Sequence, residues 1–344
     1  MATTTTRTMD LLDRRLLNLV QSSFPLVPLP YQALGEELGM PEAEVLERLG
    51  RLRRRNVVRE VSAIFDTRRL GYKTTLVAFA YPPGKLQKGA LHINQHPGVS
   101  HNYAREGSYY NLWFTLAVPP EESLEETVQR MAQETQAEAC RLMPTLRFFK
   151  IAVNFDMVTE EGASYGHHRP DAHVPPTNGH DPDAWKRTVP LSEFDKVVIR
   201  ELQEDLPLEH RPFLPIAQRL GMSEEDLFRL AGEFQERGIM RRYSAILYHR
   251  SAGFKANAMV VWRVPEERAQ EVGELMAASP WVTHCYQRPT FPDWPYTHFT
   301  MIHATTKEKC EEVAEDISRL TGITDHRVLY STREYKKTRV RYFV

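Results

Sequence analysis

Two short segments repeat one alternation of side-chain chemistry: His101, Tyr103 and Arg105 stand two apart, and so do His284, Tyr286 and Arg288. Residues two apart share a face of a β-strand. Each segment, if extended, therefore presents an imidazole, a phenol and a guanidinium together. Imidazole gives up a proton near neutral pH, a phenol positions or relays it, and a guanidinium grips a carboxylate. Such a trio is equipped to protonate a bound anion. A polar outer face of an antiparallel sheet accounts for the same spacing without chemistry, and a core histidine is commonly just hydrogen-bonded in place.

Neighbouring residues extend the pattern. Asn111, Trp113 and Thr115 would share a face of the next strand. Arg59, Arg241, Lys73 and Lys255 offer further cations on strands nearby, and Trp113, Trp294 and Tyr296 offer rings to cover something flat. His303 follows a Pro292-Asp293-Trp294-Pro295 insertion as a third imidazole; His298 is given no role. Arg333, Lys337, Arg339 and Arg341 alternate onto one face of a C-terminal strand, which a solvated edge strand explains equally well.

The two trios belong to a duplication. Displaced so that Asp13 meets Asp195, the chain also brings Pro25 onto Pro207, Gly39-Met40 onto Gly221-Met222, Ser62-Ala63-Ile64 onto Ser244-Ala245-Ile246 and Gly71 onto Gly253. One inserted residue later, Val99-Ser100-His101 falls on Val282-Thr283-His284. Within each copy, helical spacing of Leu11, Leu12, Leu16, Leu17 and Val20, then Tyr31 to Leu38, a turn at Gly39 and a helix from near Pro41 to Asn56 predict a helix-turn-helix. Strand-like Val57 to Phe65 and Thr74 to Tyr81 follow, then a helix over 85–95, strands over 99–105 and 110–118, a helix over 124–138 and a strand over 148–155. The fold class expected is α+β, a tandem duplication of helix-turn-helix plus ferredoxin-like βαββαβ domain. Helix-turn-helix domains take 9–58 and 191–240, ferredoxin-like domains 59–157 and 241–344. Residues 158–190 form a polar linker holding His167, His168, His173 and His180.

Composition narrows the function. Forty-four basic residues nearly cancel 45 acidic ones, which tilts against nucleic acid as the main partner. The segment starting Ser223-Glu224-Glu225-Asp226 carries carboxylates where a DNA-reading helix needs cations. Cys140, Cys285 and Cys310 are widely spaced, which excludes a disulfide framework and gives no grounds for a metal of the protein's own. No apolar run approaches the roughly eighteen residues of a membrane span, and Met1 to Met9 lacks an apolar leader, so a cytoplasmic location is expected.

A helix-turn-helix joined by a strand to a ferredoxin-like domain is the plan of the Lrp/AsnC regulators, and Asp13-Arg14-Arg15-Leu16-Leu17 and Leu38-Gly39-Met40 resemble that class. The stretch from His101 to Thr115 resembles the first subunit of siroheme decarboxylases. His284 to Arg288, Pro292 to Tyr296 and Thr300 to His303 resemble the second. The resemblance implies a fused two-subunit enzyme, a carbon–carbon lyase. It would remove two acetate carboxylates from siroheme as CO2, giving 12,18-didecarboxysiroheme on a route to heme d1 or an alternative heme. On that footing His101 and His284 are general acids, Tyr103 and Tyr286 their partners, and Arg105 and Arg288 carboxylate anchors aided by Arg59, Arg241, Lys73 and Lys255. Asn111, Trp113, Trp294, Tyr296 and His303 complete the substrate contacts. The iron comes with the substrate and no separate cofactor is implied, although His101 or His284 as an axial ligand would compete with the acid role. The two halves would form an internal pseudo-dimer, with pairing of whole chains left open. A tandem transcription regulator or heme sensor binding DNA, and a tetrapyrrole carrier without chemistry, are the competing readings.

Overall fold

The computed structural model describes residues 9–151, 187–247, 256–304 and 306–344. The linker histidines, Lys255 and the end of the strand expected over 148–155 lie outside them. In the first copy the chain forms α1 (Leu11–Ser22), α2 (Pro30–Leu38), α3 (Glu42–Arg54), β1 (Val58–Phe65), β2 (Lys73–Ala80), α4 (Leu86–Ile93), β3 (Val99–Arg105), β4 (Leu112–Val118), α5 (Leu124–Thr135), β5 (Ala139–Met143) and β6 (Arg147–Ile151). The second copy gives α6 (Glu193–Leu202), α7 (Leu214–Arg219), α8 (Glu224–Glu236), β7 (Met240–Leu247), β8 (Ala256–Trp262), α9 (Ala269–Ala278), β9 (Val282–Gln287), β10 (His298–Ala304), α10 (Lys307–Thr321) and β11 (His326–Lys337). The order matches the duplicated α+β plan. No helix among the described residues is long and apolar enough to cross a membrane.

The chain divides into two compact units, and the division does not follow the expected domain boundaries. One unit holds the described residues up to Phe65 together with those from Val197 to Leu247. Local chemistry starts its helices: Asp10 accepts from the Asp13 amide at 2.7 Å, and Ser223 accepts from Asp226 at 3.1 Å. Strands β1 and β7, expected to open the ferredoxin-like domains, instead pair with each other as a two-stranded antiparallel ribbon with Ser62 opposite Ser244. Those serines are equivalent in the repeat, so the copies meet about a local two-fold. Tyr31 donates to the Pro207 carbonyl at 2.8 Å, and Arg53 reaches Asp205 and the Leu206 carbonyl, both at 2.8 Å. Arg48 is bound by Asp10, Asp13 and Glu44, and Arg51 by Asp13. Much of the basic side of α3 is thus committed within the protein.

The second unit is built on a nine-stranded antiparallel sheet of order β5-β2-β4-β3-β11-β8-β10-β9-β6. Helices α4 and α5 cover one face of the first module's strands through Ala90, Ile93, Val128 and Met131. Helices α9 and α10 cover the second's through Val272, Met276, Val313 and Ile317. The last strand of each module crosses to the other. β11 pairs with β8 from His326 to Tyr330, then with β3 from Ser331 to Lys337. In the first copy the crossing is broken in two, β5 on β2 and β6 on β9, where a single strand over 148–155 was expected. Pro144 explains the break, since proline cannot donate to a ladder. Only Pro144 to Leu146 separate the two edge strands, and Leu146 donates to the Gln287 carbonyl at 2.8 Å. The sheet therefore curls until its edges meet, helices outside and the opposite face inward.

Each crossing strand also clamps the other module's helix. Lys336 Nζ donates to the carbonyls of Asn94 (2.8 Å) and His96 (3.1 Å) beyond α4, and Lys150 Nζ donates to Ser279 (2.8 Å) beyond α9. Cations suit the negative ends of helices. These lysines sit opposite Asn102 and Cys285, so the Asn/Cys difference between copies belongs to the helix side of the sheet.

Candidate functional site

The face turned away from the helices carries both trios. On β3 the His101 and Tyr103 rings lie 6.4 Å apart at 29°, and the Arg105 guanidinium lies 5.5 Å from the Tyr103 ring centre. On β9 the corresponding separations are 6.1 Å and 4.8 Å. Strand alternation sends Asn102 the other way, where it donates to the Ala90 carbonyl. In both copies the histidine is half-buried and the arginine buried, so each trio runs from an accessible imidazole to an enclosed cation.

A bulge aims each histidine. The register slips between Val99 and His101 on β3, and at the equivalent place on β9, so that Ser100 and Thr283 join the histidines they precede. Ser100 Oγ lies 3.0 Å from His101 Nδ1 and 2.7 Å from Thr115 Oγ1; Thr283 Oγ1 lies 2.9 Å from His284 Nδ1. Sequence reasoning missed both hydroxyls, although Ser100-His101 and Thr283-His284 coincide in the repeat.

The arginines carry the strongest electrostatic signal. Arg105 donates to the Leu329 carbonyl at 3.1 Å, and Arg288 to the Met143 carbonyl, each where a terminal strand changes partner. Among the described residues neither has a carboxylate partner, and the Nε of each is buried without an acceptor. Burial pulls both guanidinium pKa values down to about 10. A buried cation short of an anion is a receptor for one.

Several expected contacts fall elsewhere. Asn111 binds Tyr81 at both ends, accepting from its amide at 3.0 Å and donating to its carbonyl at 2.8 Å, so its amide prolongs the sheet and is not offered to a ligand. Trp113 lies on the trio's face opposite Tyr103 but is 1% exposed, and its Nε1 donates to the Tyr110 carbonyl. Trp294 packs 5.2 Å from Trp113 and 5.2 Å from Tyr296, in one core with Phe299, Met259 and Leu329. Asp293 fixes that insertion, accepting from Tyr110 Oη at 2.5 Å and from Arg141 at 3.1 and 3.2 Å. These rings plug the interior and are not exposed to cover a macrocycle. Lys73 shares the helix-side alternation of Val77 and Phe79, and its Nζ donates to the Glu122 carbonyl. Arg59 and Arg241 stand near opposite ends of the β1–β7 ribbon in the other unit, off the nine-stranded sheet. Bulges in β11 split the expected basic face: Arg333 reaches Gln87 of α4, while Lys337 stands opposite His101.

His298 is a satisfied core histidine, bonded to the Ala269 carbonyl at 2.9 Å and stacked 5.5 Å from Phe149. Burial pulls its pKa down to about 4. Above pH 6.5 the ring is neutral folded or unfolded; as pH falls toward 4 only the unfolded chain takes the proton, so stability is lost there. The full window is worth about 3 kcal/mol. Replacing His298 with Asn should make the denaturation free energy of this unit shallower with pH by nearly one proton around pH 5, and equal slopes in titrated urea melts would refute the assignment.

The family described as the siroheme decarboxylase NirDL-like helix-turn-helix domain matches residues 13–59 and 195–241, and the AsnC-like ligand binding domain matches 69–150 and 251–336. A siroheme decarboxylase of Hydrogenobacter thermophilus is 40% identical over 331 residues, covering 96% of this chain and 94% of the relative. The crystal structure of the siroheme decarboxylase NirDL in co-complex with an iron-uroporphyrin III analogue superposes with a TM-score of 0.71 at 36% identity, covering 97% of this chain and 95% of that one. A siroheme decarboxylase beta subunit of Methanosarcina barkeri is 46% identical over 151 residues, which are 99% of its own length but 44% of this chain.

Proposed function

As this chain belongs to the siroheme decarboxylase family, in the form that carries two modules on one polypeptide, we propose that it removes two acetate carboxylates from siroheme as CO2, giving 12,18-didecarboxysiroheme for heme d1 or alternative heme synthesis. The observation that carries this reading is the pair of buried guanidiniums, Arg105 and Arg288, each lacking an anion among the described residues and each in line with a phenol and an imidazole. A flat polyacid supplies the missing carboxylates. Arg105 and Arg288 anchor them, while His101 and His284 deliver protons with Tyr103 and Tyr286 beside them.

Loss of CO2 breaks the bond to the carboxyl carbon and leaves its electron pair on the methylene, where the pyrrole delocalises it. The substrate is its own electron sink, so no further cofactor is required. A proton from an imidazolium Nε2 then completes the methyl group. Axial ligation of the substrate iron by His101 or His284 would use that same atom, and only one of the two roles can belong to a given ring. The helix-turn-helix halves serve as packing elements, with Arg48, Arg51 and Arg53 engaged by carboxylates, and the reaction is placed in the cytoplasm.

Anaerobic incubation with siroheme followed by mass spectrometry tests the reading. A product lighter by two CO2 is expected. Bound siroheme of unchanged mass would instead make the protein a carrier, and tight, salt-dependent binding to promoter DNA would restore the regulator.

A further inference from the structure

Met301 and Thr115 occupy equivalent places, opposite His284 and His101. Two residues on, β10 therefore has His303 where β4 has Ala117. Thr283 gathers this extra imidazole. Its hydroxyl lies 2.9 Å from His284 Nδ1, 3.0 Å from His303 Nδ1 and 3.2 Å from the Met301 carbonyl oxygen. A hydroxyl has one proton and two lone pairs. The arrangement that uses all three contacts sends the proton to Met301 and accepts an N–H from each ring. Both imidazoles are then held with Nδ1 protonated, and the proton each can exchange sits on Nε2. In the first half Ser100 Oγ meets a single imidazole, His101, and spends its other contact on Thr115.

The crossing strands sharpen the difference. β11 sets the carboxylate of Glu334 opposite Tyr103, whereas β6 sets Phe148 opposite Tyr286, ring centres 5.8 Å apart. A carboxylate leaves as CO2 more readily beside an apolar ring, which solvates the anion less well than the charge-dispersed transition state.

We propose that the two half-sites have diverged: CO2 is released at the second, where Thr283 is the positioning residue for the His284–His303 pair, and the first serves binding. This rests on siroheme being the substrate, and it narrows proton delivery from the two imidazoles, His101 and His284, to His284. The carbon–carboxyl bond breaks, its electron pair passes into the pyrrole, and CO2 departs. His284 Nε2 gives its proton to the methylene carbon and becomes the neutral, Nδ1-protonated ring that Thr283 favours. A proton from water restores it, with His303 as the second carrier.

The test compares Thr283→Val, which keeps shape and removes the hydroxyl, with Thr283→Ser and Ser100→Ala in steady-state CO2 release from siroheme. Thr283→Val should lower kcat about a hundredfold at little change in KM and shift the pH profile of kcat, and Thr283→Ser should restore both. Ser100→Ala should act chiefly on KM. Equal kcat losses in Thr283→Val and Ser100→Ala, or no rescue by Ser in a chain that melts like the parent, overturn the division. Should Thr283→Val melt low, His303→Ala carries the test, and an unmoved kcat and pH profile overturn it. A parent chain that releases no CO2 would sink the reaction itself, whereas an active parent with symmetric losses sinks only the asymmetry.

Discussion

Replacing Arg288 with Met should leave the ligand-free protein about as stable as the parent while weakening siroheme binding about thirtyfold or more. The two effects separate because the guanidinium is costly where it stands. Its pKa, drawn down to about 10 by burial, corresponds to about 3 kcal/mol of unfavourable charge burial at neutral pH. The bond to the Met143 carbonyl returns a similar amount, about 1.5–3 kcal/mol for a charged donor. Methionine removes both contributions and fills most of the volume. Binding has no such cancellation: a substrate carboxylate brought against methionine stays desolvated and unpaired, which typically costs about 2–5 kcal/mol. Arg105→Met should behave alike, since Arg105 is equally buried and bonded to Leu329. Thermal melts beside siroheme titrations decide the matter; a variant that melts many degrees lower but binds normally would make these arginines struts of the strand crossing.

Much of this site could be read from the chain because strand alternation is a local property. His101, Tyr103 and Arg105 share a face for the same reason that any residues two apart do, and their recurrence as His284, Tyr286 and Arg288 marked the face as deliberate. What escaped the sequence depends on register and on distant partners. Ser100 and Thr283 look as if they belong to the opposite face until a bulge turns them. Asn111 is in phase with β4, yet it lies one residue ahead of it and spends its amide on Tyr81. β1 and β7 read as openings of their own domains because the pairing that claims them joins one copy to the other. The crossing of β6 had one local sign, Pro144, and a single proline does not say to which edge the next strand goes.

Trp294 shows the same limit and gives the second large expected effect. Trp294→Ala should destabilise the sheet unit by about 3–5 kcal/mol, the usual cost of deleting a large buried aromatic. The indole is 2% exposed and fits among Trp113, Tyr110, Tyr296 and Phe299 at ring separations of 5.2 to 6.2 Å. Its Nε1 has no acceptor among the described residues, so the site is selecting a ring and not a donor. Trp294→Phe should therefore cost only about 1–2 kcal/mol, the smaller cavity being partly offset by removal of a buried, unpartnered N–H. Siroheme binding should follow folding, recovering in Phe and failing in Ala only as the barrel loosens under Tyr103. A Trp294→Ala chain that keeps its melting temperature and loses siroheme would return this indole to the substrate. The insertion would then be a flap over the macrocycle, and the Asp293 contacts to Tyr110 and Arg141 would be its hinge instead of the seal of a packed core.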